Sequence, residues 1–153
     1  MQADDFRIRP AAQGDLPALL ALYRHLNADD PEIAPDIATE RFAEITGRPG
    51  MTVLIGLSGE SLTSSVTLVV IPNLTRSGAP YALIENVVTN AEHRKRGHAR
   101  ALIANAFERA WSSGCYKVML LTGSKEQSTL KFYEGCGFTQ NKTGFQIRRP
   151  AGI

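Results

Sequence analysis

Five basic side chains crowd around one glycine in Arg94-Lys95-Arg96-Gly97-His98-Ala99-Arg100, and the chain turns strongly amphipathic directly after them. Ala99, Leu102, Ile103, Ala106, Phe107, Ala110 and Trp111 share one helical face, with Arg100, Asn105, Glu108, Arg109 and Ser112 on the others. A helix therefore begins here. Its first backbone N–H groups have no acceptor inside the helix, and the macrodipole adds positive potential at the same point. Gly97 permits a turn and a close backbone approach, and Ala99 is too small to block it. Such a place suits an anion, and a pyrophosphate in particular. The plainer alternative is a solvated basic helix start. Neither a Gly-x-x-x-x-Gly-Lys-Ser/Thr loop nor a Gly-x-Gly-x-x-Gly loop is present. A nucleic-acid patch would call for interleaved aromatics, which are missing.

Two more side chains have the right type for chemistry. Glu85 interrupts the apolar run Leu83-Ile84-Glu85-Asn86-Val87-Val88. Burying an unpaired carboxylate is costly, so Glu85 either has a use or stands on an exposed face paired with a cation. Burial would raise its pKa towards the working range of a base. Tyr133, in Phe132-Tyr133-Glu134-Gly135-Cys136-Gly137-Phe138, is either a proton donor or a core aromatic with a bonded hydroxyl.

The elements that must position these groups follow from periodicity and punctuation. Phe6 to Arg9 alternates and stops at Pro10, as a short strand does. Asp15 can cap a helix with Pro17 in its first turn and an apolar stripe of Leu16, Leu19, Leu20 and Tyr23. A weaker helix is expected from about Asp36 to Ile45, ending at Gly47. Met51 to Leu57 and Leu62 to Ile71 read as a hairpin around Ser58-Gly59-Glu60, and Tyr81 to Thr89 as another strand. After the amphipathic helix, which Gly114 ends, come a strand over Tyr116–Thr122 and a helix over Glu126–Glu134. A terminal hairpin follows over Phe138–Arg149, turning near Asn141-Lys142. The expectation is a mixed α/β sheet of about seven strands with about four helices on its two faces.

A length of 153 residues suits one domain with a real core, and no repeat or linker interrupts it. A net charge of +2 neither demands nor excludes an anionic partner. Cys115 and Cys136 lack metal-ligand spacing, so no metal is expected, and two reduced thiols suit a cytoplasmic setting. Met1-Gln2-Ala3-Asp4-Asp5 is acidic and without the apolar stretch of a secretory signal. No apolar run approaches the roughly 20 residues that span a bilayer.

At Arg94, Gly97 and Ala99 the chain resembles the GNAT acetyltransferase superfamily, whose members carry Gln/Arg-x-x-Gly-x-Gly/Ala. Phe132-Tyr133-Glu134-Gly135-Cys136-Gly137-Phe138 is similar to that family's closing Tyr-Glu-x-x-Gly-Phe signature. The resemblance covers roughly Tyr81 to Phe138. It implies a single GNAT domain over residues 1–153 with a mostly antiparallel mixed sheet. It also implies acetyl-CoA as cofactor, its pyrophosphate on the amides of Arg96, Gly97, His98, Ala99 and Arg100. Arg94 and Lys95 would flank it, with Val87, Val88 and Thr89 on the strand and Ser128 and Phe132 on the last helix. In the family an amine attacks the thioester directly, in a gap where strands splay at a bulge. The bulge would fall near Glu85 to Val87, with the Val87 N–H facing the developing oxyanion. Glu85 would be the base and Tyr133 the acid.

Ile84-Glu85-Asn86-Val87-Val88, Gly114-Cys115-Tyr116-Lys117 and the Tyr133 segment look like the glucosamine-6-phosphate N-acetyltransferase branch. That branch usually has aspartate in place of Asn86, and Leu121-Thr122-Gly123-Ser124 also departs from it. The implied partner is a small-molecule primary amine. Protein N-termini or lysines, and a non-catalytic acyl-CoA sensor, are the alternatives. Retention of both Glu85 and Tyr133 favours an enzyme. The family often dimerises, and the alternating Phe145-Gln146-Ile147-Arg148 would suit pairing across subunits.

Overall fold

A computed structural model describes residues 5–152; Met1 to Asp4, which carry most of the acidic N-terminus, lie outside them. One compact unit runs to Leu120 and a second begins at Leu121. The first contains β1 (Phe6–Pro10), α1 (Leu16–Tyr23), α2 (Pro35–Gly47), β2 (Met51–Ser58), β3 (Ser61–Ile71), β4 (Tyr81–Thr89), α3 (His98–Ser112) and β5 (Val118–Met119). The second contains α4 (Gln127–Gly135).

The sheet has the order β1-β2-β3-β4-β5, antiparallel up to β4 and parallel between β4 and β5. Alternation sorts its side chains onto two faces. Val53, Ile55 and Leu57 of β2 join Leu19, Leu22, Phe42 and Val88 in one core, under α1 and α2. Leu54, Val66, Leu68, Ala82 and Ile84 point the other way, towards buried Leu102, Ile103, Ala106 and Ala110 of α3. Truncating one of these, such as Leu102, to alanine would cost about 2–5 kcal/mol, because a packed interior collapses only partly around the hole.

Asp15 does not cap α1 with its side chain. Its carboxylate turns back to Arg9 in two hydrogen bonds of 2.7 and 2.9 Å and accepts the Ala12 N–H at 2.7 Å. The Arg9 guanidinium holds the Asp15 carboxyl below its ordinary pKa, against the effect of burial.

Two irregularities interrupt the ladders. Gly56 and Leu57 of β2 face Ser64 and Leu62 of β3, leaving Thr63 as an extra residue. Thr67 and Ser65 of β3 face Glu85 and Val88 of β4, so Asn86 and Val87 stand against Val66 alone. Both are β-bulges.

The seven expected strands are five among the described residues. The strand expected over Tyr116–Thr122 pairs only at Val118 and Met119, and Leu121 is exposed. The hairpin expected over Phe138–Arg149 is not formed. Thr139 to Gly144 are all polar or glycine, so this stretch has no apolar side chain to bury. Phe145 and Ile147 are 91% and 95% exposed. Alternation alone does not hold a strand: a two-stranded hairpin without a packed face is marginal in water.

Candidate active site

The β4–β5 ladder stops at Leu83 and Met119, whereas β4 runs on to Thr89. Along that stretch one edge of β4 has no strand partner among the described residues. The bulge lies in the same stretch, where the sequence led us to expect it. It is shaped by Asn86, left-handed at φ 51°, a conformation asparagine tolerates better than most residues. Glu85 stands at the last regular pair before the bulge, opposite Thr67 and hence on the same face as α1 and α2.

Glu85 is exposed rather than buried. It has no ion pair among the described residues, so the structural pairing that would explain it away is missing. Beside it lies a row of neutral hydroxyls. Thr67 and Ser65 are buried, and both act on the hydroxyl of Tyr23 from α1, whose pKa burial nevertheless raises.

Beyond Thr89 the chain makes a short 3-10 turn, Ala91–His93, capped by the Asn90 side chain accepting the Glu92 N–H at 3.0 Å. Lys95 and Gly97 are then left-handed at φ 62° and 82°. A Cβ on Gly97 would meet nothing within 4 Å, so backbone conformation rather than space calls for glycine there. No side chain caps α3 at Gly97, and its first intrahelical hydrogen bond runs from Ala101 N–H to the Gly97 carbonyl at 3.0 Å. Arg94, Lys95 and Arg96 are exposed and form no ion pair among the described residues. An uncapped, glycine-entered helix start ringed by unpaired cations, next to an unpaired strand edge, fits an extended molecule that carries a pyrophosphate.

Two residues assigned to the cofactor have buried side chains. The Val88 side chain belongs to the core. His98 is 3% exposed, and its ring stacks on Phe6 at 4.1 Å. Each could meet a ligand only through its backbone. Val87, Thr89 and Ala99 are half-exposed and Arg100 is exposed. A separate open groove of about 590 Å³ lies at the other end of α3, floored by Leu68 and Val70 and rimmed by Asn105, Glu108 and Arg109.

Tyr133, Phe132 and Ser128 lie on α4. The Tyr-Glu-x-x-Gly-Phe pattern has a local meaning: it ends this helix. Gly137 is left-handed at φ 109° and donates to the Glu134 carbonyl at 2.9 Å, while Phe138 donates to the Tyr133 carbonyl at 3.2 Å. That is a Schellman turn, and its characteristic apolar contact is the edge-on packing of Phe138 against Tyr133 at 6.1 Å. Burial raises the Tyr133 pKa and Cys136 adds to the effect, so the phenol keeps its proton at neutral pH.

Thr63, Gly56 and Phe6, which surround His98, were read from the sequence only as strand positions. Their signal was present: a glycine inside the β-rich run Met51–Leu57 marks a bulge or a close approach.

Comparison with known proteins shows the family and the fold. Residues 19–138 match the Acetyltransferase (GNAT) family. A Trypanosoma brucei brucei glucosamine 6-phosphate N-acetyltransferase is 32% identical over 94% of this chain and 95% of its own. A putative acetyltransferase from Agrobacterium tumefaciens is 48% identical with a TM-score of 0.90, covering 94% of this chain and 99% of that one. An aminoglycoside N-acetyltransferase in complex with CoA shares the fold at a TM-score of 0.81 and 17% identity, covering 97% of each chain. With an uncapped basic helix start beside a bulged strand carrying a lone carboxylate, the chain belongs to the GNAT family, whose members use acetyl-CoA, and is an N-acetyltransferase.

Proposed function

We propose that the protein transfers the acetyl group of acetyl-CoA to the primary amine of a small molecule, by direct attack with both reactants bound. The observation that carries this is the placement of Glu85 on one strand: next to the bulge, at the start of the unpaired edge and ahead of the α3 cradle. Bound acetyl-CoA supplies an activated acetyl group. The amides of Arg96 to Arg100 would hold its pyrophosphate, with Arg94 and Lys95 alongside, and the edge of Val87, Val88 and Thr89 would receive its amide-bearing arm. Ser128 and Phe132 of α4 would be further coenzyme contacts, as the family resemblance implies.

Glu85 takes the proton that the amine must lose, directly or through water, and its exposure lets that proton pass on to solvent. General-base help of this kind contributes about 10²–10⁴-fold. The Val87 N–H donates to the carbonyl oxygen as charge gathers there, worth about 2.7–4 kcal/mol. Tyr133 gives its proton, or a strong hydrogen bond, to the departing thiolate. With a thiol near pKa 8.5 and a phenol at about 10, full transfer is uphill by roughly 2 kcal/mol, and more where burial raises the phenol.

Residues 1–153 would act as one acetyltransferase domain, supported by a family match that runs through both compact units. The hydroxyls of Tyr23, Ser65 and Thr67 beside Glu85 favour a polar amine, and the trypanosomal relative makes glucosamine 6-phosphate the first to try. Exposed Phe145 and Ile147 suit strand pairing in a homodimer, and two cysteines, Cys115 and Cys136, without metal-ligand spacing suit the cytoplasm.

The test is a melting-temperature titration with acetyl-CoA followed by thiol release across a panel of amines. Saturable stabilisation with turnover on one amine class is expected. Binding without turnover on any amine would favour an acyl-CoA sensor. Glu85→Gln is expected to lower kcat mainly at low pH, where the amine is most protonated, and an unchanged pH–rate profile would remove Glu85 from the mechanism. Tyr133→Phe is expected to lower turnover by a factor that does not vary with pH below the phenol's pKa; full activity would remove Tyr133.

A further inference from the structure

Both ends of the cradle loop are tied to one residue that takes no part in the chemistry above. Thr63 is the extra residue of the β3 bulge, and it is fully buried. Its carbonyl accepts the Asn90 N–H at 2.8 Å, where β4 gives way to the loop. Its hydroxyl meets His98 Nδ1 at 3.0 Å, where the loop gives way to α3, and the Gly56 carbonyl at 3.3 Å. With the hydroxyl hydrogen directed to Gly56, Oγ1 is left to accept from His98 Nδ1–H.

The imidazole is fixed from its face as well. It stacks on Phe6 at 4.1 Å with the rings 11° apart. The Phe6 ring in turn sits over Gly56, where any Cβ would lie 2.7 Å from it. A bulge bends its strand locally and re-aims a side chain. Here it delivers the Thr63 hydroxyl to the first residue of α3. Between the two anchors lie Lys95 and Gly97 in left-handed conformations, so the loop path depends on where its ends are held.

We infer that Thr63, acting through His98 and Asn90, is the positioning residue for coenzyme binding: it sets the spacing of the two loop ends and so the aim of the amides at the start of α3. The inference rests on the proposed function, since it assumes that those amides meet acetyl-CoA. A displacement of about 1 Å in a binding constellation can cost on the order of 10²-fold. Loss of one hydrogen bond with partial repacking is expected to cost about tenfold, equal to one interaction of about 1.4 kcal/mol.

The experiment compares Thr63→Val, which keeps the shape and loses the hydroxyl, with Thr63→Ser, which keeps the hydroxyl. His98→Phe, which keeps the stack and loses Nδ1, and the double variant T63V/H98F complete a cycle. Acetyl-CoA Kd is measured by calorimetry, with the KM values for acetyl-CoA and amine and the melting temperature of each protein. T63V and H98F are expected to raise Kd and KM for acetyl-CoA about tenfold, the double variant no more than either, and T63S to restore wild-type affinity. The amine KM is expected to hold. A lowered melting temperature with unchanged Kd in T63V would overturn the inference, as would equal losses in T63S and T63V. Should T63V not fold, wild-type affinity in H98F would overturn it equally. A wild-type chain that binds no acetyl-CoA would overturn the proposed function and this inference with it, whereas wild-type binding with indifferent variants overturns this inference alone.

Discussion

At the C-terminal end of α3, Gly114 is left-handed at φ 82° and the chain closes back on the helix. Gly114 donates to the Trp111 carbonyl and Cys115 to the Ala110 carbonyl, both at 3.0 Å, so the last turn is satisfied by its own chain. At the N-terminal end Gly97 has the same φ of 82°, but no side chain caps the first turn and cations surround it. One backbone device thus serves two purposes. It seals one end of the helix, and at the other it leads the chain in while leaving the polar end open to a ligand. A left-handed glycine therefore says nothing of function until the hydrogen bonds around it are followed.

Matched substitutions can break this comparison. Neither glycine has a neighbour within 4 Å of an added Cβ, so alanine at either should cost only the left-handed strain, about 1–2 kcal/mol. Gly97→Ala is expected to have the largest effect, adding to that strain a loss of acetyl-CoA affinity of about tenfold or more, one contact's worth of about 1.4 kcal/mol. Gly114→Ala is expected to lower the melting temperature by a similar amount, about 2–8 °C, with acetyl-CoA Kd unchanged. Equal Kd values in the two variants would end the distinction. Arg96→Gln is expected to raise the acetyl-CoA KM about two- to fivefold, since exposed charges contribute little. That small effect should shrink further as salt shortens the screening length to about 3 Å at 1 M; a KM difference that persists in high salt would point to packing instead.

The parts of the fold read from the sequence were those with a local cause. Tyr81–Thr89 falls on its expected bounds because an apolar run between Pro80 and Asn90 has no other outcome. The α3 stripe repeats too regularly to be anything but a helix. The terminal hairpin failed because alternation in Phe145-Gln146-Ile147-Arg148 records a preference, and a preference becomes a strand only where a partner exists. Glu85 was found by its type within an apolar run, and that run left its exposure open. The burial of the His98 ring was not legible locally, because it is set by Phe6 and Thr63, some 92 and 35 positions earlier in the chain.

The central claim is that the first turn of α3 holds the acetyl-CoA pyrophosphate, and backbone hydrogen exchange with and without acetyl-CoA tests it most directly. The claim predicts that acetyl-CoA slows exchange across residues 96–100 while the closed end at 113–115 keeps its rate. Stabilisation of the protein with no slowing at 96–100 would contradict it and would move the coenzyme to another part of the molecule.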